Sequence, residues 1–144
     1  MLTVVSAFFF CFSNGLMQSH AVVHRTDENI VYPVSALGLC IFIFGMFINI
    51  HSDNLLLNLR KETERGYKIP YGGFYQYVSS PSYFGEALEW FGYSLLVQNP
   101  ASSWFFIWST MFLGIRAVQT HSWYKEKFKS EYPAERKAFI PFIL

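Results

Sequence analysis

The segment from Ile30 to Ile50, IVYPVSALGLCIFIFGMFINI, runs for 21 residues without a charge and carries Phe42, Phe44 and Phe47. A helix needs about 20 such residues to cross the hydrocarbon core of a bilayer. Pro33 near its start is compatible with a first helical turn. Three further apolar stretches flank it. Leu2 to Met17 and Ala101 to Ile115 are borderline in length, and the second is rich in aromatics (Trp104, Phe105, Phe106, Trp108). Tyr83 to Val97 is apolar apart from Glu86 and Glu89, and Asn99-Pro100 marks a turn after it. There is no repeat and no low-complexity segment. The expected fold is all-α: one membrane domain over residues 1–144, with about four transmembrane helices, a cytosolic linker from His51 to Ser82 and a short amphipathic tail.

Composition points the same way. Hydrophobic residues make up 52% of the 144, aromatics 20% and charged residues 15%. Soluble domains carry about 25% charged residues, so this chain is poorly supplied to cover a soluble core. A net charge of +1 gives no electrostatic case for nucleic acid. Cys11 and Cys40 lie in apolar runs and read as packing residues, not as a disulfide framework. His20 and His24 are four apart, a spacing that can pair imidazoles on one helix face, but no third ligand is near; a solvated loop is expected, and no metal site. The segment Met1 to Ser13 resembles the core of a signal peptide without its charged leading region, so it reads as a membrane segment whose true start lies upstream.

If all four stretches cross, the connecting pieces alternate sides. The linker and the C-terminal tail then hold ten of the eleven Lys and Arg residues, and the opposite side only Arg25. Basic residues concentrate on the cytosolic face of membrane proteins, which makes that face and the C-terminus cytosolic.

Three groups of residues could carry chemistry. Glu86 and Glu89 sit in an apolar segment, where a carboxylate costs about 2.5–3.5 kcal/mol on insertion scales. Their spacing of three puts both on one helical face, aimed at a cavity or partner, unless the helix is interfacial and its carboxylates are wet. In the linker, Arg60 and Lys61 could meet phosphates, and Gly72-Gly73 permits a tight turn or close approach to a ligand; an ordinary polar loop beside lipid headgroups explains them equally well. Arg116, Thr120 and Tyr124 share a helical face and could present a cation, a hydroxyl and a phenol to an anion, or Arg116 could simply snorkel. Neither a Rossmann nor a P-loop glycine motif occurs, so any dinucleotide would bind without those folds.

The stretches INIHSDNLLLNLRK (48–61), GYKIPYGGFYQYVS (66–79), YFGEALEWFGY (83–93) and EYPAERKAFIPFIL (131–144) resemble the steroid 5-alpha-reductases, the plant brassinosteroid reductases included. The similarity runs from Asn49 to Leu144, about two-thirds of the chain, with a weaker extension through Cys11 to Asn14-Gly15. It implies a multi-pass protein of the endoplasmic-reticulum membrane whose cytosolic-side cavity holds NADPH. The implied reaction is reduction of the carbon–carbon double bond of a 3-oxo-4-ene steroid or similar enone lipid. It places Asn49, Asp53, Arg60, Tyr67, Ser82, Glu86, Arg116, Thr120, His121 and Tyr124 on cofactor-site positions, with Glu86 supporting catalysis. Ser82 stands where many relatives have Asn. Thr120-His121 stands where animal relatives often have two histidines, a change in which the plant enzymes look more like this chain.

The family also implies N-terminal helices with a Gln-Glu pair and a tyrosine that holds the steroid carbonyl. Nothing from Met1 to Gln18 corresponds to them, so the chain alone is expected to have weak or no activity. Rival readings are a trans-2-enoyl-CoA or polyprenol reductase, a membrane methyltransferase with a similar tail, and an inactive truncated form acting as an interaction partner.

Overall fold

The computed structural model describes residues 2–24, 30–61 and 66–144, with side chains described at 8–24, 30–59 and 66–144. Four helices account for most of them: α1 (Leu2–Val23), α2 (Tyr32–Lys61), α3 (Pro81–Val97) and α4 (Pro100–Phe128), with short 3-10 turns at Gly73–Gln76 and Lys129–Glu131. The all-α expectation holds among the described residues. Among the described residues one helix, over Tyr32–Leu59, is long and apolar enough to cross a membrane, with mean hydropathy 2.1 in its most apolar stretch.

The elements run longer than the apolar stretches. Helix α2 continues through His51, Asp53 and Leu59, so the first part of the expected linker is helix. Leu55, Leu56, Leu57 and Leu59 are strong helix formers and carry the helix past the weaker His51, Ser52, Asp53 and Asn54. Helix α4 likewise passes Ile115 without a break and absorbs the region expected to form a separate amphipathic tail. Past Phe128 the chain forms turns instead. His20 also lies on helix α1, not in a loop, and its ring packs 4.3 Å from that of His24. Cys11 and Cys40 are free thiols on exposed apolar faces, not packed inside the chain.

Local chemistry sets the α3–α4 hairpin. Gln98 takes a left-handed conformation (φ 50°) and ends α3. Asn99 then caps α4, its Oδ1 accepting from Ser102 N at 2.8 Å, and Pro100 fills the first helical position. The Asn99-Pro100 turn is thus where the sequence puts it. The Gln98 amide reaches across to Val31 O and Ser35 Oγ, tying this turn to the start of α2.

Helices α2 and α3 pack through facing glycines seven residues apart on each helix. A Cβ on Gly38 would lie 2.6 Å from the Gly92 carbonyl, and one on Gly45 would lie 2.6 Å from that of Gly85. Backbone meets backbone along this seam, a packing mode that suits helices lacking a water-driven force between them. Helix α3 turns its small residues the other way to α4, where Ala87, Leu113 and Ala117 form a core with Ala138 and Phe139 of the C-terminal segment. Helix α1 lies antiparallel along α4: Phe10 packs on Trp108 (4.6 Å between centroids), and Gln18 Nε2 donates to Ala101 O (3.2 Å).

The 66–80 segment and the C-terminus close one end of the bundle together. Ser79 N donates to Lys137 O, and Lys137 N donates to Tyr77 O, both at 2.8 Å, forming an isolated parallel bridge. Gly72 (φ 94°) and Gly73 (φ 49°) supply the left-handed turn that leads into it. Arg136 is only 3% exposed; its NH2 donates to Pro70 O, and its guanidinium lies over the rings of Tyr71 (5.4 Å) and Tyr132 (5.1 Å).

Candidate functional site

Helix α4 carries both cavities that matter. Phe105, Trp108, Ser109, Phe112, Leu113 and Arg116 recur every three or four residues and so line one helical stripe. They wall a cavity of about 880 Å³, completed by Phe10 and Asn14 from α1 and by Tyr83, Glu86 and Trp90 from α3. From Phe105 to Arg116 the helix rises about 16 Å. The cavity is therefore elongated and aromatic, with the Asn14 amide near one end and Glu86 and Arg116 toward the other. Trp90 Nε1 donates to Glu86 Oε1 at 3.4 Å, and Arg116 lies 5.7 Å from the Phe112 ring.

The same stripe continues. Thr120 and Tyr124 follow Arg116 at successive turns, about 12 Å along the axis. They wall a second, more polar cavity of about 380 Å³ with Trp123, Leu56 and Leu59 of α2, and Tyr67 and Lys68. Tyr124 stacks on Tyr132 at 5.5 Å. No acidic side chain lines this cavity among the described residues.

Glu86 and Glu89 do not act as a pair. The 60° between them lets α3 send Glu86 into the large cavity while Glu89 Oε1 accepts from Asn49 Nδ2 of α2 at 3.0 Å. The glycine seam one turn away brings those two side chains within reach. Asn49 is thus engaged with Glu89. Asp53 is exposed on α2, and Ser82 is half-buried in the first turn of α3. Arg60 stands in the last turn of α2, and its side chain lies outside the described residues.

His121 turns away from both cavities. Its Nδ1 lies 2.6 Å from Ser79 Oγ, which also meets Tyr132 Oη at 2.6 Å and donates to Lys137 O at 3.0 Å. A serine hydroxyl has one proton. With that proton on the Lys137 carbonyl, Tyr132 and His121 Nδ1 are the donors. Burial pushes the His121 pKa below its ordinary value, and the cations of Lys125, Arg136 and Lys137 push it further. His121 therefore holds the chain end in place.

The structure thus brings together Glu86 with Arg116 in one cavity, and Tyr67, Thr120 and Tyr124 in another. Sequence reasoning missed Asn14 as a wall residue, Ser79 as a junction and Arg136 as a buried staple. Arg136 and Ser79 carried one signal each, a place inside a stretch that carries the resemblance (131–144 and 66–79).

Over residues 1–144 the chain matches the family profile described as 3-oxo-5-alpha-steroid 4-dehydrogenase. It is 44% identical over 147 residues to the mouse (Mus musculus) protein 3-oxo-5-alpha-steroid 4-dehydrogenase 1, covering 100% of this chain and 57% of that protein. It is 44% identical over 141 residues to steroid 5-alpha-reductase DET2 of Arabidopsis thaliana, covering 95% of this chain and 54% of that protein. The human (Homo sapiens) 3-oxo-5-alpha-steroid 4-dehydrogenase 1 is 42% identical over 146 residues, covering 99% of this chain and 56% of its own length. The chain spans a little over half the length of these relatives.

Proposed function

The chain belongs to the 3-oxo-5-alpha-steroid 4-dehydrogenase family, and on that premise we propose that it forms the cofactor-binding part of an NADPH-dependent reductase of 3-oxo-4-ene steroids or similar enone lipids. The observation that carries this reading is the single stripe of α4 shared by two unlike cavities. A long aromatic chamber has Arg116 in its wall, and Thr120 and Tyr124, on the next turns of the helix, wall a small polar one. A rigid apolar substrate fits the first. The cation of Lys68, the hydroxyls of Tyr67, Thr120 and Tyr124 and the indole of Trp123 fit an anionic nucleotide in the second.

When bound, NADPH supplies the hydride that reduces the carbon–carbon double bond. The chain's own groups do the rest. Arg116, one turn before Thr120 on α4, offsets phosphate charge. Glu86 is available to hold a polar end against the chamber, and the surrounding aromatic rings keep water from it. Asn49 and Glu89 lock α2 to α3, so Glu86 keeps its direction. Arg60, Asp53 and Ser82 complete the proposed nucleotide contacts. His121 supports the site by fixing the chain end.

The outward faces suit an endoplasmic-reticulum membrane. Leu37, Ile43, Phe44 and Phe47 of α2, and Trp104, Met111 and Ile115 of α4, are large, apolar and exposed. Residues 66–80 and 129–144, with their lysines and arginines, meet at one end of the bundle, in keeping with a multi-pass domain whose C-terminus is cytosolic.

The test is tritiated NADPH binding by the chain in microsomes; turnover of a 3-oxo-4-ene steroid, measured beside enoyl-CoA and polyprenol substrates, is expected to be weak or absent for the chain alone. R116A is expected to weaken NADPH binding about 10- to 100-fold, the loss of charge-assisted contacts. E86Q keeps the hydrogen-bonding shape of the side chain and is expected to weaken NADPH binding less than R116A does. NADPH affinity that is unchanged in R116A would refute the placement of the nucleotide.

A further inference from the structure

Lys127 belongs to none of the motifs above. It stands one turn beyond Trp123 on α4. Its Nζ lies 3.9 Å from the centroid of the Tyr67 ring and 4.9 Å from that of Trp123. The two rings meet edge to face at 5.1 Å. One ammonium thus serves two aromatic rings on different segments of the chain.

The geometry matters because of what Tyr67 is. Its ring is 68% exposed, so burial does little to hold it. It follows Gly66, whose φ of 107° is open to a glycine and leaves this stretch without helical restraint. Yet Tyr67 forms a wall of the polar cavity, together with Trp123. Lys127 is not part of that wall. An ammonium over a ring is attracted by the ring's negative face, so Lys127 draws Tyr67 down onto α4. The tyrosine then closes one side of a cavity whose other sides are helices.

We propose that Lys127 is a positioning residue for the polar cavity, acting through Tyr67 and Trp123 to hold the start of the 66–80 segment against α4. The inference rests on reading that cavity as a nucleotide site, and it adds a residue to that site which touches no ligand itself.

The test uses the full chain in nanodiscs. Two readouts are taken, NADPH affinity from cofactor fluorescence and amide hydrogen exchange at residues 67–69 without cofactor. K127M keeps the stem and removes the cation. It is expected to weaken NADPH binding about fivefold and to speed exchange at 67–69. K127R retains a cation that also stacks on rings and is expected to restore both to within about twofold. Y67L, which also removes the Tyr67 hydroxyl, is expected to weaken binding at least as much as K127M, and the double variant to be no worse than Y67L alone.

Additive losses in the double variant would overturn the proposal, since Lys127 would then act on the ligand directly. Unchanged exchange in K127M would overturn it too. If the unaltered chain fails to bind NADPH, the nucleotide reading falls, while the exchange measurement still decides whether Lys127 holds the segment.

Discussion

Ser79 is a small side chain with a large share of the connectivity at one end of the bundle. Its hydroxyl touches His121, Tyr132 and the Lys137 carbonyl. S79A removes the acceptor for two donors and is expected to destabilise the fold by about 1–3 kcal/mol, read as a lower unfolding midpoint in detergent. His121 adds a pH dependence. Its pKa is depressed in the folded chain, so the unfolded chain binds the proton first as pH falls. Its contribution is complete above about 6.5, the ordinary imidazole value, and is lost as pH drops through the lower folded value. Thermal unfolding midpoints at several pH values should show this slope, and H121Q should flatten it. The cluster was not legible in the sequence, because nothing in the residue order at 79, 121, 132 and 137 announces that these positions meet. Glu86 and Arg116 were legible: a charge in an apolar run is conspicuous wherever it stands.

At the scale of elements, apolar runs located the helices but not their ends. A hydropathy pattern records where lipid or core lies, and α2 and α4 continue past it into polar turns. The seam between α2 and α3 was hidden for a different reason. Glycines at 38, 45, 85 and 92 read singly as tolerated breaks, and their pairing shows only when the helices cross. G45L places a side chain where even a Cβ would lie 2.6 Å from a backbone oxygen. No rotamer relieves that clash, so the expected cost exceeds the roughly 1–3 kcal/mol of ordinary overpacking. Loss of a monodisperse peak in size-exclusion chromatography would report it. A smaller change at the hairpin, N99A, removes the cap on α4 and should cost about 1 kcal/mol, visible as a modest drop in unfolding temperature.

For the molecule as a whole, the two native thiols are ready reporters of surroundings. Cys40 is exposed on the outer face of α2, so water should reach it freely unless lipid covers that face. In sealed microsomes a membrane-impermeant maleimide is expected to leave Cys40 unlabelled and to react once the membrane is dissolved in SDS. A cysteine placed by S130C, beyond α4, should be labelled from the cytosolic side, and one placed by S103C should not. Labelling of Cys40 in intact vesicles would contradict the bilayer orientation. The packing of Phe139 carries one more consequence. Phe139 fills the interior between α3 and α4 and is only 3% exposed, so the helical hairpin does not finish its own interior. Its early, local contacts have to leave room for a ring that arrives from farther along the chain, which makes docking of the 138–140 stretch a late step beside closure of the hairpin.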